Sequence, residues 1–290
     1  MAEGYTGVRV INVGPEIVNQ AYIDQRVPLS QLDGRITRHL SQNEYCVLKF
    51  ENPPNSQSAL TRVIGGDFTL LRGEVEASGI RPRNKEQRMA LDALLDDNIK
   101  VVVLTGTAGS GKTICTLAAA MTKFEEGRYE RLILTRTMSW VGKHALGFLP
   151  GEASEKFGPY LENYMCNIEY LLGGKHKSVQ DTIQQYRMDF IPPQLIRGAS
   201  WMNAFIIADE WQTMGVDETV ALGTRVGEGS KIVIMGDLLQ RDENIARDQT
   251  GIYQFVNNEL AKQSPLVASI DLWKSERSEV SSLFADVFER

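Results

Sequence analysis

Cysteine and histidine are scarce in this chain of 290 residues, with three of each. Cys46, Cys115 and Cys166 lie far apart and leave one over, so they offer neither a disulfide framework nor a metal-ligand pair. With only His39, His144 and His176 besides, zinc chemistry is not expected. No apolar run approaches the roughly 20 residues that span a bilayer. The opening MAEGYTGVRV has neither the basic nor the apolar region of a signal peptide, so a cytoplasmic protein without membrane contact is expected. Positive charge is not in excess either. Lys and Arg number 31 against 37 Asp and Glu, a net −6, so any nucleic-acid contact is expected in a local patch. There is no internal repeat and no low-complexity tract.

What remains is an ordinary globular composition, 42% hydrophobic and 23% charged, with room for one large or two modest domains. Residues 1–80 read as short strands broken by turns: VRVINV at 8–13, YCVLKF at 45–50 and a run beginning at Phe68. Asn52-Pro53-Pro54-Asn55 and Gly65-Gly66 punctuate them. A small β-rich accessory domain is expected there, with the boundary near residues 79–84. From Asn84, placed to N-cap a helix, the pattern changes. Apolar runs at 100–105, 131–135, 205–209, 231–237 and 267–271 are continuous rather than alternating, as in strands buried on both faces of a parallel sheet. Helical stretches at 112–124 and about 155–172, 216–225 and 250–262 lie between them. An α/β fold with a mainly parallel sheet over residues 81–290 is expected.

Gly106-Thr107-Ala108-Gly109-Ser110-Gly111-Lys112-Thr113 satisfies the phosphate-loop pattern in full, between a strand and a helix. Its glycines let backbone N–H groups turn inward around phosphates at a helix N-terminus. Lys112 is expected on the β/γ-phosphates and the Thr113 hydroxyl on Mg²⁺. The run Phe205–Ala208 ends in Asp209-Glu210 at the carboxyl end of a strand. Asp209 is expected in the Mg²⁺ shell, with Glu210 polarising the attacking water. Gln240, after Gly236-Asp237, has an amide able to donate to phosphate and accept from water, or it is simply part of a polar turn. Asn84 and Gln87, some twenty residues before the loop, suit adenine, since a Gln amide pairs with N6 and N7; an exposed helical Gln is the alternative.

Taken together, these blocks resemble the PhoH-like ATPase family, a branch with one RecA-type fold related to superfamily 1 helicases. The resemblance covers roughly residues 79–290. It includes the blocks just named, with Leu134-Thr135-Arg136, Gly147–Gly151, Ile196-Arg197-Gly198, Thr224–Ser230 and Glu276-Arg277-Ser278. Trp211 stands where the family's pattern has Ala, and the segment from Trp140 to His144 departs from the commoner Pro-containing one. Some members carry a PIN nuclease domain. The first 80 residues are too few for it and hold no acidic cluster, so none is expected in this chain.

The resemblance implies a RecA-like core that hydrolyses ATP with Mg²⁺. It also implies RNA dependence, with helicase or translocase action; an ATP-driven switch on protein partners is the alternative, and a small-molecule kinase a third that Glu210 disfavours. Arg136 and Thr137 are expected where helicase-type ATPases contact the nucleic-acid backbone. Trp140, Lys143 and His144 follow, an aromatic among bases that suits stacking, although Trp140 is equally suited to a core. Gly173–Lys177 is a basic loop, solvated or phosphate-contacting. One RecA fold lacks the second that supplies an arginine finger, so a homo-oligomer, such as a ring, with a finger in trans is expected. Arg277 is the first candidate, with Arg225 second and Arg197 third.

Overall fold

The computed structural model describes residues 4–71, 73–137, 153–173, 178–196, 198, 200–240, 245–276 and 287. Strand β1 (Val8–Asn12) passes through Gly14 into helix α1 (Pro15–Asp24), where Pro15 fits the first turn because its missing N–H has no intrahelical partner there. Then follow β2 (Arg26–Pro28), the one-turn α2 (Gly34–Thr37), β3 (Tyr45–Phe50), β4 (Gln57–Ile64) and β5 (Asp67–Leu70). They form a five-stranded sheet of order β1-β3-β4-β5-β2, parallel only between β1 and β3. β3 is buried on both faces. Cys46 and Leu48 join an apolar cluster with Val18 and Ala21 of α1, while Tyr45 and Val47 face the opposite way, into the cluster that holds Met89 and Leu94.

The rest of the chain builds a second sheet. Helix α3 (Lys85–Leu95), capped by the Asn84 side chain, precedes β6 (Val101–Gly106), α4 (Lys112–Glu125) and β7 (Arg131–Arg136). Helices α5 (Ala153–Leu172) and α6 (Val179–Gln185) lead to β8 (Met188–Phe190) and β9 (Ala204–Asp209). Next come α7 (Val216–Gly223), β10 (Lys231–Gly236), α8 (Gly251–Asn257), α9 (Glu259–Gln263) and β11 (Val267–Leu272). The six strands run β11-β6-β10-β9-β7-β8, every pair parallel, with α3 and α4 over one face and α7 and α8 over the other. The expected mainly parallel sheet is there, and in it β10 separates the phosphate-loop strand β6 from the carboxylate strand β9. The helix expected over 250–262 is two helices. Asn258 ends α8 in extended backbone and caps α9 by accepting the Leu260 N–H at 2.9 Å.

Several polar links join the two sheets. Asp271 donates its backbone N–H to the Thr6 carbonyl at 3.0 Å, and Asn43 Nδ2 donates to the carbonyls of Pro265 and Val267 at 2.9 and 3.0 Å. Arg62 of β4 reaches Asp92 and Asp96 on α3 at 3.0 and 2.6 Å, and the Tyr45 hydroxyl donates to Asp92 at 2.8 Å. The C-terminal carbonyls of α3 are closed by Lys231, whose Nζ donates to Ala93, Leu94 and Asp96 at 2.9, 2.7 and 2.9 Å. Burial pushes that amine down to about 7, although charged groups of Asp96 and Asp97 work against the shift.

Candidate nucleotide site

The C-terminal ends of β6, β9 and β10 converge on the loop between β6 and α4, the place where ligands sit in open parallel sheets. Gly106 leaves β6 with φ +131°, and a Cβ there would stand 2.1 Å from the Leu272 carbonyl oxygen of β11. Only glycine admits that approach. Gly111 has φ +92°, and a Cβ there would meet Gln87 Nε2 at 2.7 Å. The loop is braced from outside: Gln87 Nε2 donates to the Ser110 carbonyl at 3.0 Å, and the Glu276 backbone N–H donates to the Gly109 carbonyl at 3.0 Å. Asn84 caps α3 through the Gln87 N–H and donates its amide to Glu276 Oε1 at 2.8 Å. Beside these residues lies a cavity of about 420 Å³, lined by Arg83, Gln87, Gly111, Cys115, Tyr170 and Glu276.

Lys112 donates to the carbonyls of Gly106 and Thr107 at 2.8 and 2.9 Å. Burial lowers its pKa, opposed by the carboxylates of Asp237, Asp209 and Glu210. Asp209 is 3% exposed, and burial raises its carboxyl to about 6 against the pull of Arg136. Its Oδ1 accepts the Glu210 N–H at 3.0 Å, whereas its buried Oδ2 has no hydrogen-bond partner. Glu210 holds a left-handed backbone at φ +55°, a conformation that costs a non-glycine residue and is kept where the surroundings enforce it. Gln212 holds the Glu210 side chain. Its Nε2 donates to Glu210 Oε2 at 2.7 Å and to the Gln240 carbonyl at 3.2 Å, while its Oε1 accepts the Asp237 N–H at 3.2 Å. Asp237 in turn accepts the backbone N–H groups of Leu239 and Ala108.

A model of the family described as PhoH-like protein matches residues 79–289. Protein PhoH2 of Bacillus subtilis (strain 168) is 41% identical over 293 residues, covering 98% of this chain and 64% of that protein. The chain belongs to the PhoH-like family. Protein PhoH2 of Mycolicibacterium smegmatis is 30% identical over 291 residues, covering 100% of this chain and 64% of that protein. The PhoH-like protein of Synechocystis sp. (strain ATCC 27184) is 29% identical over 225 residues, 73% of this chain and 65% of its own. The chain thus spans just under two thirds of the length of these three relatives. As a PhoH-like protein it is an ATP-binding P-loop protein, with no described helix long and apolar enough to cross a membrane.

Of the residues singled out in the sequence, Lys112, Thr113, Asp209, Glu210, Asn84 and Gln87 come together around the loop. Gln87 does so as a brace: its Oε1 accepts the Arg83 N–H at 2.9 Å, so reading adenine requires exchanging bonds already made within the chain. Gln240 is exposed, and its backbone carbonyl rather than its amide is tied to the site. Arg225 lies beyond the N-terminal ends of β9 and β10, where its carbonyl accepts the Trp201 N–H; β10 alone spans about 20 Å from there to the carboxylates. Trp211 packs inward with its Nε1 on Thr219 Oγ1 at 3.0 Å, so the bulk that replaces the family's Ala fills the core beneath β9. Arg197, Arg277, Trp140, Lys143, His144 and residues 174–177 lie outside the described residues.

Arg136 and Thr137 need correction. The β7–β9 register sets Arg136 opposite Asp209, and the two carboxylates draw its guanidinium inward: Nη2 lies 3.3 Å from Glu210 Oε1 and Nη1 lies 3.8 Å from Asp209 Oδ2. Thr137 is buried, with Oγ1 donating to the Glu210 carbonyl and its N–H to the Asp209 carbonyl. Neither presents itself outward as a backbone contact.

The residues present fit a nucleotide-bound Mg²⁺. Among the described residues there is no cage of three or more metal-ligating side chains. Mg²⁺ held with phosphates needs only one or two carboxylates and a hydroxyl, and Asp209 Oδ2 is a buried oxygen without a hydrogen bond that suits that use.

Proposed function

We propose that the chain hydrolyses ATP with Mg²⁺ and that RNA drives the turnover, as in a helicase or translocase. The observation carrying this reading is the acidic turn: a buried Asp209 oxygen without a hydrogen-bond partner beside a Glu210 held at φ +55°, across β10 from the phosphate loop. Thr113 and Asp209 would hold the ion, which when bound neutralises phosphate charge. Lys112 exchanges its two loop carbonyls for phosphate oxygens and stabilises the charge that develops on them. Glu210 takes the proton of the attacking water, while Gln212 keeps its carboxylate aimed and ties it to Asp237. The cavity between α3 and α5, beside the loop, would receive the nucleobase.

RNA dependence rests on the family resemblance and on Trp140, Lys143 and His144 following the tied pair Arg136-Thr137 in sequence. Assembly into a homo-oligomer is part of the proposal. Arg225 is too far from the carboxylates of its own chain to serve them, so as a finger it would act on a neighbour. Arg277 remains the first candidate. Its chain neighbour Glu276 is tied to Gly109, so cis and trans action are separated by mixing Lys112→Ala with Arg277→Ala subunits: partial recovery of activity supports trans.

The deciding experiment measures ATP turnover with RNA, with single-stranded DNA and with no polymer, using Lys112→Ala as the blank. RNA should raise the rate most. Equal rates in all three arms would overturn RNA dependence and leave a protein-partner switch; a rate equal to the blank in every arm would overturn hydrolysis.

A further inference from the structure

We infer that Arg136 is the resident counter-cation of the acidic turn: a positioning residue that neutralises Asp209 and Glu210 and must be displaced before a divalent cation can use Asp209. The inference rests on the reading of Asp209 as a cation ligand given above. Backbone register carries it first. Because Arg136 stands opposite Asp209 in the β7–β9 pair, the sheet itself delivers the guanidinium to the carboxylates. Its side chain is 22% exposed, against 4% for Asp209 and 30% for Glu210, so the trio is only partly screened by water.

The two contacts differ in kind. Arg136 Nη2 is within hydrogen-bond reach of Glu210 Oε1 at 3.3 Å. Nη1 stands 3.8 Å from Asp209 Oδ2, close enough to balance its charge and too far to bond it. That oxygen is therefore buried, charge-compensated and without a hydrogen bond, the condition of a ligand held in reserve. Among the described residues the other cation near this turn is Lys112, which is engaged on the loop carbonyls. Among the described residues Asp237 also lies near Lys112, and its carboxylate is bound to backbone N–H groups.

A divalent charge on Oδ2 and a guanidinium under 4 Å away repel strongly in such partly buried surroundings. With its amide turned, Asn163 on α5 accepts from Nη1 and Nη2 of the same guanidinium, a partner outside the acidic turn that Arg136 can keep when it leaves the carboxylates. Its departure frees Glu210 Oε1, while Gln212 still fixes Oε2. The residue that guards the cation position is thus also the one that releases an oxygen of the proposed base.

Displacement has a measurable cost, which a neutral side chain removes. The test is an equilibrium titration of Mg²⁺ against binding of a fluorescent ATP analogue by the full chain, with no turnover involved. Arg136→Gln should lower the Mg²⁺ concentration at half-saturation by about three- to tenfold, and Arg136→Lys, which keeps the charge, should stay within about twofold of the parent. Arg136→Met, neutral with an apolar stem, serves if the Gln variant melts early. An unchanged or raised Mg²⁺ requirement in a folded neutral variant overturns the inference while leaving the cation reading intact. If the unaltered chain binds the analogue without regard to Mg²⁺, the reading of Asp209 fails, and the inference with it.

Discussion

Gln87 on α3 donates to the Ser110 carbonyl at 3.0 Å and accepts the Arg83 N–H at 2.9 Å, so both ends of its amide are spent within the chain. At 4% exposure it lies behind the phosphate loop, holding the loop's last turn against the helix that Asn84 caps. Gln87→Ala should therefore weaken ATP and GTP binding by the same factor, several-fold, because it loosens a backbone both nucleotides share. Paired titrations check this. A loss confined to ATP would return Gln87 to the role of adenine reader.

Asp209 sets a pH dependence. Burial raises its carboxyl to about 6, whereas an unfolded Asp ionises near 3.9. Between those values the native protein holds a proton that the unfolded chain has released, so this group's contribution to stability falls as pH rises from about 4 to 6. Cation binding runs the opposite way, since only the carboxylate is a ligand. Mg²⁺-dependent nucleotide binding should weaken as pH drops below about 6 and stay level from 7 to 8. Asp209→Asn should melt at a higher temperature than the parent while losing the Mg²⁺ dependence.

Glu210→Gln should bind ATP as the parent does and turn over about 10²–10⁴-fold more slowly, because the amide cannot take the proton of water. Single-turnover measurement at saturating ATP separates the two effects. Turnover at the parent rate would remove Glu210 from the role of base.

Arg62 ties the first sheet to α3 through Asp92 and Asp96, with a side chain 11% exposed. Arg62→Ala leaves two acids close together and partly buried. Discounted for their residual exposure, the loss should be about 2 kcal/mol of stability. Since α3 also carries Asn84 and Gln87, nucleotide affinity should fall with it. Denaturant unfolding beside nucleotide titration checks both.

Gly106→Ala should be worse than any of these for folding. The added methyl meets a β11 carbonyl at 2.1 Å, and neither backbone can yield without breaking the β6–β11 pairing. Failure to bind nucleotide together with a loss of several degrees in melting temperature is expected.

Much of this was legible in the chain itself, for reasons of physical chemistry. Strands buried on both faces must be apolar throughout, so β6, β7, β9, β10 and β11 announced themselves. The phosphate loop did so because glycines at left-handed positions have no substitute. β4 did not: QSALTRVI mixes polar with apolar residues because Arg62 points at the acids of α3, not at solvent. α1 was hidden by a short apolar face, and β2 and β8 by their three residues each. At the site, Lys112, Thr113, Asp209 and Glu210 carried local patterns. Gln212, Asp237 and Glu276 stand in the blocks that carry the resemblance, yet their bracing roles were not legible there, since they depend on contacts such as Gln212 to Asp237, 25 residues apart, and Asn84 to Glu276, 192 residues apart. Arg136 was misread for the same reason: nothing in Leu134-Thr135-Arg136 states that the neighbouring strand ends in two acids at its register.

The bond from the Asp271 N–H to the Thr6 carbonyl has a consequence for biosynthesis. Thr6 is synthesised long before β11, the strand whose Asp271 N–H it accepts. At about 5–20 residues per second the interval is on the order of tens of seconds, during which the β1 side of the early sheet stands as an open edge. Only when β11 docks does the segment before β1 gain that partner.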